Sequence, residues 1–319
     1  MATEAAKIEV FGTNGKYFLI SGEEDLVGGG KHVMGDEGVI LRPKLEGAID
    51  APVKSLWLPG AFGQVFVDFR WQRRDIVFTV QTFDPFEDTP EGWEEVDSDW
   101  RFAFDYVKET QIRYTSKVDP DNPKSLFVRL LEEPKAYSSD QFEGKDPHLW
   151  NTGSVVMTCA AELPFYVGET KVYEFESALA TGQHTFDVAV DGDVPVWPRW
   201  VLSDNARWTL PDRSFGNEEY GRGVADATRE VQLPLLPVGV GCVADSDPRR
   251  QTLIASDKSH LQGRWGGKDL LYPIPATYSL TAGHTTPVTV KWSDAPAGVA
   301  VRLEVPQWFT RPWSFRSSM

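Results

Sequence analysis

Short apolar runs broken by Gly, Pro, Asn and Asp recur along the chain. Within them apolar and polar side chains alternate with a period of two, the pattern of half-buried β-strands. The clearest stretch is 64–83. There Val65, Val67, Phe69 and Trp71 alternate with Phe66, Asp68 and Arg70. The polar run Gln72-Arg73-Arg74-Asp75 then turns the chain, and Ile76, Phe78 and Val80 resume the alternation. This pattern predicts one long hairpin over 64–83. Further strands are expected at 7–11, 17–20, 38–41, 53–57, 110–116, 125–131 and 155–162. In the second half they are expected at 172–176, 184–190, 197–203, 228–233, 241–245, 251–256, 288–292 and 299–305. The Pro-rich interruptions at 234–237 and 273–275 suit edges and loops, because proline cannot donate to a ladder.

One segment breaks the rhythm. Thr89-Pro90-Glu91 has an N-cap residue, a proline at the first helical position and an acid in the first turn. Trp93, Val96, Trp100, Ala103, Phe104 and Val107 follow at spacings of three and four, one face of a helix. Trp100, Phe102, Phe104 and Tyr106 also alternate as a strand would; the cap decides for the helix. Gly28-Gly29-Gly30, with Glu23-Glu24-Asp25 before it, reads as a flexible loop.

With 319 residues the chain exceeds what one hydrophobic core usually serves, so two domains are expected. The boundary is placed after Leu163-Pro164-Phe165-Tyr166, giving domains at 1–166 and 167–319. No apolar run approaches the roughly 20 residues that span a bilayer. Residues 1–9 lack the apolar region of a signal peptide. The formal charge of −15 repels phosphate backbones, and the pairs Arg73-Arg74 and Arg249-Arg250 have acids beside them. No nucleic-acid partner is therefore expected. Cys159 and Cys242 form no CxxC, and Cys159 lies in an apolar run, so core thiols are expected rather than a disulfide. Twelve Trp and eighteen Phe point to thin sandwich cores and sizeable interfaces.

Candidate chemistry is sparse. His32, His148, His184, His260 and His284 stand far apart, without HxH or HExxH spacing. Gly30-Lys31 and Gly267-Lys268 lack the rest of a phosphate loop, and no GxSxG elbow occurs. The acid pairs Asp119/Asp121, Asp191/Asp193 and Asp245/Asp247 have turn chemistry; a two-carboxylate glycosidase ranks lowest. Trp197, Trp200, Trp208, Trp265, Trp292, Trp308 and Trp313 either build a core or stack on sugar rings. No catalytic, cofactor-binding or metal-binding residue is expected, and the chain reads as a non-enzyme.

Two segments resemble signatures of the distal tail proteins of long-tailed phages, most closely the minor tail proteins of actinobacterial, mycobacterium-infecting phages. The first is Trp100-Arg101-Phe102-Ala103-Phe104, then Phe127-Val128-Arg129-Leu130-Leu131, then 155–166 closing on Pro164-Phe165-Tyr166. The second is Gly192-Asp193-Val194-Pro195-Val196-Trp197-Pro198-Arg199-Trp200, similar to the start of that family's galectin-like sandwich. Val243-Ala244-Asp245-Ser246-Asp247 before Arg249-Arg250-Gln251, and Phe309-Thr310-Arg311-Pro312-Trp313, resemble its later elements. The resemblance implies a mainly β fold: an N-terminal ring-forming (belt) β-sandwich with one helix, and a C-terminal galectin-like β-sandwich. It implies a virion protein of the tail tip, made in the host cytoplasm. Such a protein forms a homo-oligomeric ring, usually hexameric, joining the tail tube to the tail-tip hub around the DNA channel. Its partners would be the tail tube protein, the hub, other minor tail proteins and the tape measure protein. The strands of 64–83 are the expected inter-subunit or tube-facing surface. The second reading is a carbohydrate-binding module that recognises host cell-wall glycan through exposed Trp.

Overall fold

The structure is a computed structural model of the chain that describes residues 6–26, 29–136, 146–276 and 285–313. The described chain falls into two compact units, the first made of residues up to 167 together with 309–313, the second of 168–308. The chain thus leaves the first unit at Val167 and comes back to it at Phe309.

In the first unit, strands with period-two alternation assemble into one antiparallel sheet. Its order is Tyr17–Ser21, Lys7–Phe11, Thr110–Thr115, Lys124–Leu130, Thr152–Ala161, Arg74–Phe83 and Val39–Glu46. The sheet curls until its two edges meet, where the Leu19 N–H bonds Glu37 Oε2 at 3.1 Å and its carbonyl accepts the Gly35 N–H at 3.4 Å. The result is a nearly closed barrel, which removes most of the free edge. Alternate residues point inward: Ile76, Phe78 and Val80 on one strand, Leu126, Val128 and Leu130 on another, and Val155, Met157, Cys159 and Ala161 on a third.

The helix Pro90–Phe102 starts where its cap predicts, with Thr89 Oγ1 accepting the Gly92 N–H at 3.1 Å. It packs Trp93 and Trp100 inward, and Trp100 meets Phe18 edge-on at 5.2 Å and Phe104 at 5.0 Å. The helical pattern overran by one turn: Ala103 and Phe104 stay in the core, but Val107 lies past the helix and is exposed. Where a flexible loop was expected, Glu23–Asp25 pairs with Lys31–Val33; Gly28 lies outside the described residues.

Two cations are fully buried in this unit. Arg74 bonds the carbonyls of Pro164 and Ala48, each at 2.7 Å, and of Thr310 at 2.8 Å, and lies over the Tyr166 ring. Lys124 lies 4.3 Å from the Phe309 ring centroid and 3.4 Å from the Pro312 carbonyl. The Ala51 N–H donates to the Thr310 carbonyl as well, and Trp313 sits 6.1 Å from Tyr114. The returning segment is therefore a strap held by backbone acceptors and two buried positive groups.

The second unit is a sandwich. One sheet runs Lys171–Ser177, Val299–Val305, Arg199–Leu202, Cys242–Asp245 and Leu253–Ala255. The other runs Gly182–Val188, Thr286–Ser293, Arg207–Pro211 and Glu230–Gln232. Phe186 faces Trp200 at 6.3 Å and Phe175 faces Trp292 at 5.7 Å, so aromatic rings join the two sheets. Cys159 and Cys242 are free, buried thiols.

Candidate assembly interface

The hairpin expected over 64–83 does not form. Both strands exist, but Gln64–Trp71 pairs with Val53–Pro59, whereas Arg74–Phe83 enters the main sheet between Thr152–Ala161 and Val39–Glu46. Alternation sets which face a side chain takes, not which strand pairs with it. The tight turn of this ribbon lies at Gly60-Ala61-Phe62-Gly63, where the Gly60 N–H bonds the Gly63 carbonyl at 3.0 Å and Gly63 has φ +74°. Gln72-Arg73 offers no glycine or asparagine for such a turn.

The ribbon Val53–Pro59/Gln64–Trp71 is exposed at every residue of both strands. The register defines its two faces. One carries Val53, Ser55 and Trp57 with their cross-strand partners Trp71, Phe69 and Phe66, and Trp57 lies edge-on to Phe66 at 5.3 Å. The other carries Leu58, Val65 and Leu56 toward the turn, then Asp68 and the cross-strand pair Lys54/Arg70 toward the root. A β-bulge leaves Val67 as the extra residue of its strand, unopposed between the pairs Leu56/Asp68 and Trp57/Phe66. Phe62, at the tip, is 99 % exposed and Trp57 50 %. Trp71 packs edge-on against the buried Phe165 at 5.1 Å, anchoring the root.

A two-stranded ribbon is marginal in water, and contiguous exposed apolar surface of this extent marks a binding surface. The aromatic residues are the type that anchors interfaces. Both outer edges of the ribbon also present unpaired backbone groups, a template for further strands. Sequence reasoning found both strands, 53–57 and 64–71, but not their pairing; Gly60 and Gly63 between two apolar runs were the signal.

The other candidate residues are placed apart. Among the described residues no group of three or more His, Cys, Asp and Glu is arranged to hold a metal. His148 bonds Glu94 at 2.8 Å and Asp146 at 3.2 Å, and those two acids raise its pKa above the ordinary value. His184 stacks on Phe175 at 3.8 Å, His32 pairs with Glu37, and His260 is exposed; His284 lies outside the described residues. The acid pairs form turns and ion pairs, with Asp119, Asp245 and Asp247 buried. Asp245 accepts the Asp247 N–H at 3.1 Å, Asp247 pairs with Arg249 at 2.6 Å, Asp191 pairs with Lys171 at 2.6 Å, and Asp119 accepts from Asn122 at 2.6 Å. Burial holds the Asp245 carboxyl above its usual range.

The tryptophans of the second unit are core residues. Trp200, Trp208, Trp265, Trp292 and Trp308 are buried and Trp197 is half-buried. The indole N–H groups of Trp208, Trp265 and Trp292 donate to the carbonyls of Ser203, Gln232 and Leu179. None of these rings offers the exposed platform that sugar stacking needs.

Comparison with solved structures gives the class: this is the fold of phage tail-hub and baseplate proteins. The Dit (gp 19.1) protein of phage SPP1, described as a paradigm of the hub adsorption apparatus in Gram-positive-infecting phages, superposes with a TM-score of 0.52 at 8 % identity, covering 85 % of this chain and 94 % of that one. A chain of the phage P2 baseplate in its activated conformation with Ca matches at 0.50 and 8 %, covering 95 % and 98 %. In sequence, the chain is a homologue of minor tail proteins of mycobacteriophages. Minor tail protein Gp27 of Mycobacterium phage D29 is 25 % identical and that of Mycobacterium phage L5 24 %, each over 96 % of both chains. No family model matches.

Proposed function

We propose that the protein is a structural subunit of the phage tail tip. It assembles into a ring that connects the tail tube to the tail-tip hub and surrounds the DNA channel. The observation that supports this most directly is the ribbon, an apolar, aromatic, unpartnered β-surface on a stable frame. A structure of this kind works by packing against other chains rather than by transforming a ligand. The first unit is the ring-forming domain, and the second, 168–308, is the galectin-like one. The partners are copies of the chain, then the tail tube protein, the hub and other minor tail proteins. The net charge of −15 favours a negative lumen, past which DNA moves without adhering.

Imaging and mass measurement of the purified full-length protein, beside labelled virions, test this reading. Closed rings, and a signal at the tail tip, are the expected result. A chain that stays monomeric at every concentration and is missing from the tail would overturn it. A lumen lined with Lys and Arg would contradict the charge argument alone.

A further inference from the structure

The first unit carries a second exposed aromatic surface, at the start of its helix. Asp84 builds it. Its carboxylate accepts the N–H groups of Phe86 at 2.9 Å, Glu87 at 3.3 Å and Thr89 at 3.1 Å, and the Thr89 hydroxyl at 2.9 Å. The loop is thus rigid, yet it holds Phe86 87 % exposed. Beside it lies a groove of about 340 Å³ bordered by Met34, Phe83, Pro85 and Phe86. Leu149 and Trp150 are also exposed, in a turn tied to the helix by His148 and Glu94. A rigid, solvent-facing aromatic ring is pre-organised for binding, because little freedom is left to lose.

Charge distinguishes this surface. Residues 84–95 contain Asp84, Glu87, Asp88, Glu91, Glu94 and Glu95 and no Lys or Arg, a balance of −6. The ribbon 53–71 contains Lys54 and Arg70 against Asp68, a balance of +1 in a chain of −15. Apolar aromatic surface lies in both, with opposite sign around it. Their positions are fixed by one strand. The ribbon joins Arg74–Phe83 at its beginning, and the acidic loop leaves it at its end, ten residues on. At about 3.3 Å per residue the two surfaces lie roughly 30 Å apart. In the single chain neither covers the other, as the exposure of Phe62 and Phe86 shows.

We infer that the ribbon of one copy docks on the acidic, aromatic start of the helix in the next copy, with Lys54 and Arg70 facing the carboxylates of 87–95. This inference rests on the assembly reading above and names the two surfaces it uses. Different patches meet, so the contact is heterologous, the kind that propagates around a ring. Phe62 at the tip and Leu56 on the Lys54/Arg70 face seat against Phe86, Leu149 and Trp150, and the charges set orientation and encounter.

Two experiments on the full-length chain test it. A Phe62→Cys chain and a Leu149→Cys chain are mixed and oxidised; the native thiols are buried and stay out of the reaction. A disulfide-linked dimer in the mixture, and in neither variant alone, is the expected result. Cross-linking of Phe62→Cys with itself would overturn the inference. Second, Lys54→Glu with Arg70→Glu is expected to weaken self-association about tenfold or more, and adding Glu91→Lys with Glu95→Lys to restore it to within about threefold. A wild type that oligomerises, with no cross-link in the mixture and no rescue, sinks this pairing and leaves the assembly reading standing. A wild type that never oligomerises sinks this pairing, and sinks the assembly reading too when the chain is also missing from the tail.

Discussion

Arg74 donates from Nη2 to the carbonyl of Thr310 at 2.8 Å, across 236 positions of chain. The same guanidinium reaches Pro164 and Ala48, and burial pulls its pKa below the ordinary arginine value. Replacing it with methionine removes one donor group from three internal carbonyls. Thr310 keeps the Ala51 N–H and Ala48 the Tyr166 hydroxyl, so the acceptor left orphaned is that of Pro164; at about 1–3 kcal/mol for it, Arg74→Met should destabilise the first unit by more than about 1 kcal/mol. Arg74→Lys should recover only part, since an ammonium cannot present a fork to several carbonyls. Urea unfolding followed by tryptophan fluorescence measures both; a loss below about 1 kcal/mol for Arg74→Met would refute the clamp.

The ribbon makes the opposite prediction. Trp57 and Val67 are exposed in the single chain, so Trp57→Ala and Val67→Asp should change unfolding stability by no more than about 0.5 kcal/mol. The same changes should weaken self-association, Trp57→Ala by about 2 kcal/mol or more if it is an interface anchor. Sedimentation against protein concentration separates the two effects. A lowered melting temperature with unchanged association would place these residues in the fold instead.

Asp84 gives a pH test. Backbone N–H groups of Phe86 and Thr89 hold its carboxyl down to about 2, from an ordinary 3.8. A depressed carboxylate contributes stability that is complete above its unfolded value and is lost as pH falls through its folded one. The loop at 84–89 should therefore stay ordered at pH 5 and loosen between about pH 4 and 2. The amide resonances of Phe86 and Thr89 should titrate with a midpoint near the value of about 2, and Asp84→Asn should abolish the step. A midpoint close to the ordinary 3.8 would show that those bonds do not form.

Burial pushes the thiols of Cys159 and Cys242 up to about 12. The thiolate is the reactive form, so neither should react with an aromatic disulfide at pH 8 while the protein is folded. In denaturant both should titrate. Rapid labelling of either in the native protein would show that its surroundings open.

The alternation of 74–83 and the cap at Thr89 were legible in the sequence because each is local. The capping oxygen sits three residues from the N–H it accepts, and the inward side chains of a strand recur every second position. Pairing is not local. Gln64–Trp71 and Arg74–Phe83 are adjacent in sequence and alternate alike, yet one faces solvent and the other crosses the barrel. Val65, Phe66 and Val67 put apolar groups on both faces, a readable hint that this strand needs cover on two sides. Nothing local marks Arg74 or Lys124 as buried; their burial is matched by carbonyls brought from Ala48, Pro164, Thr310 and Pro312. The strand Arg207–Pro211 went unnoticed because a single buried Trp208 and Leu210 between polar neighbours give a weak signal.

The strap that returns at Phe309 has a consequence in time. Residues 168–308 separate it from the rest of its own unit, a stretch that a ribosome adding about 5–20 residues per second takes roughly 7–28 s to make. Through that interval the ribbon already exists, while Arg74 and Lys124 still lack the acceptors of residues 309–312. A finished frame is a property of the completed polypeptide, so the sticky surface is built well before its scaffold is locked.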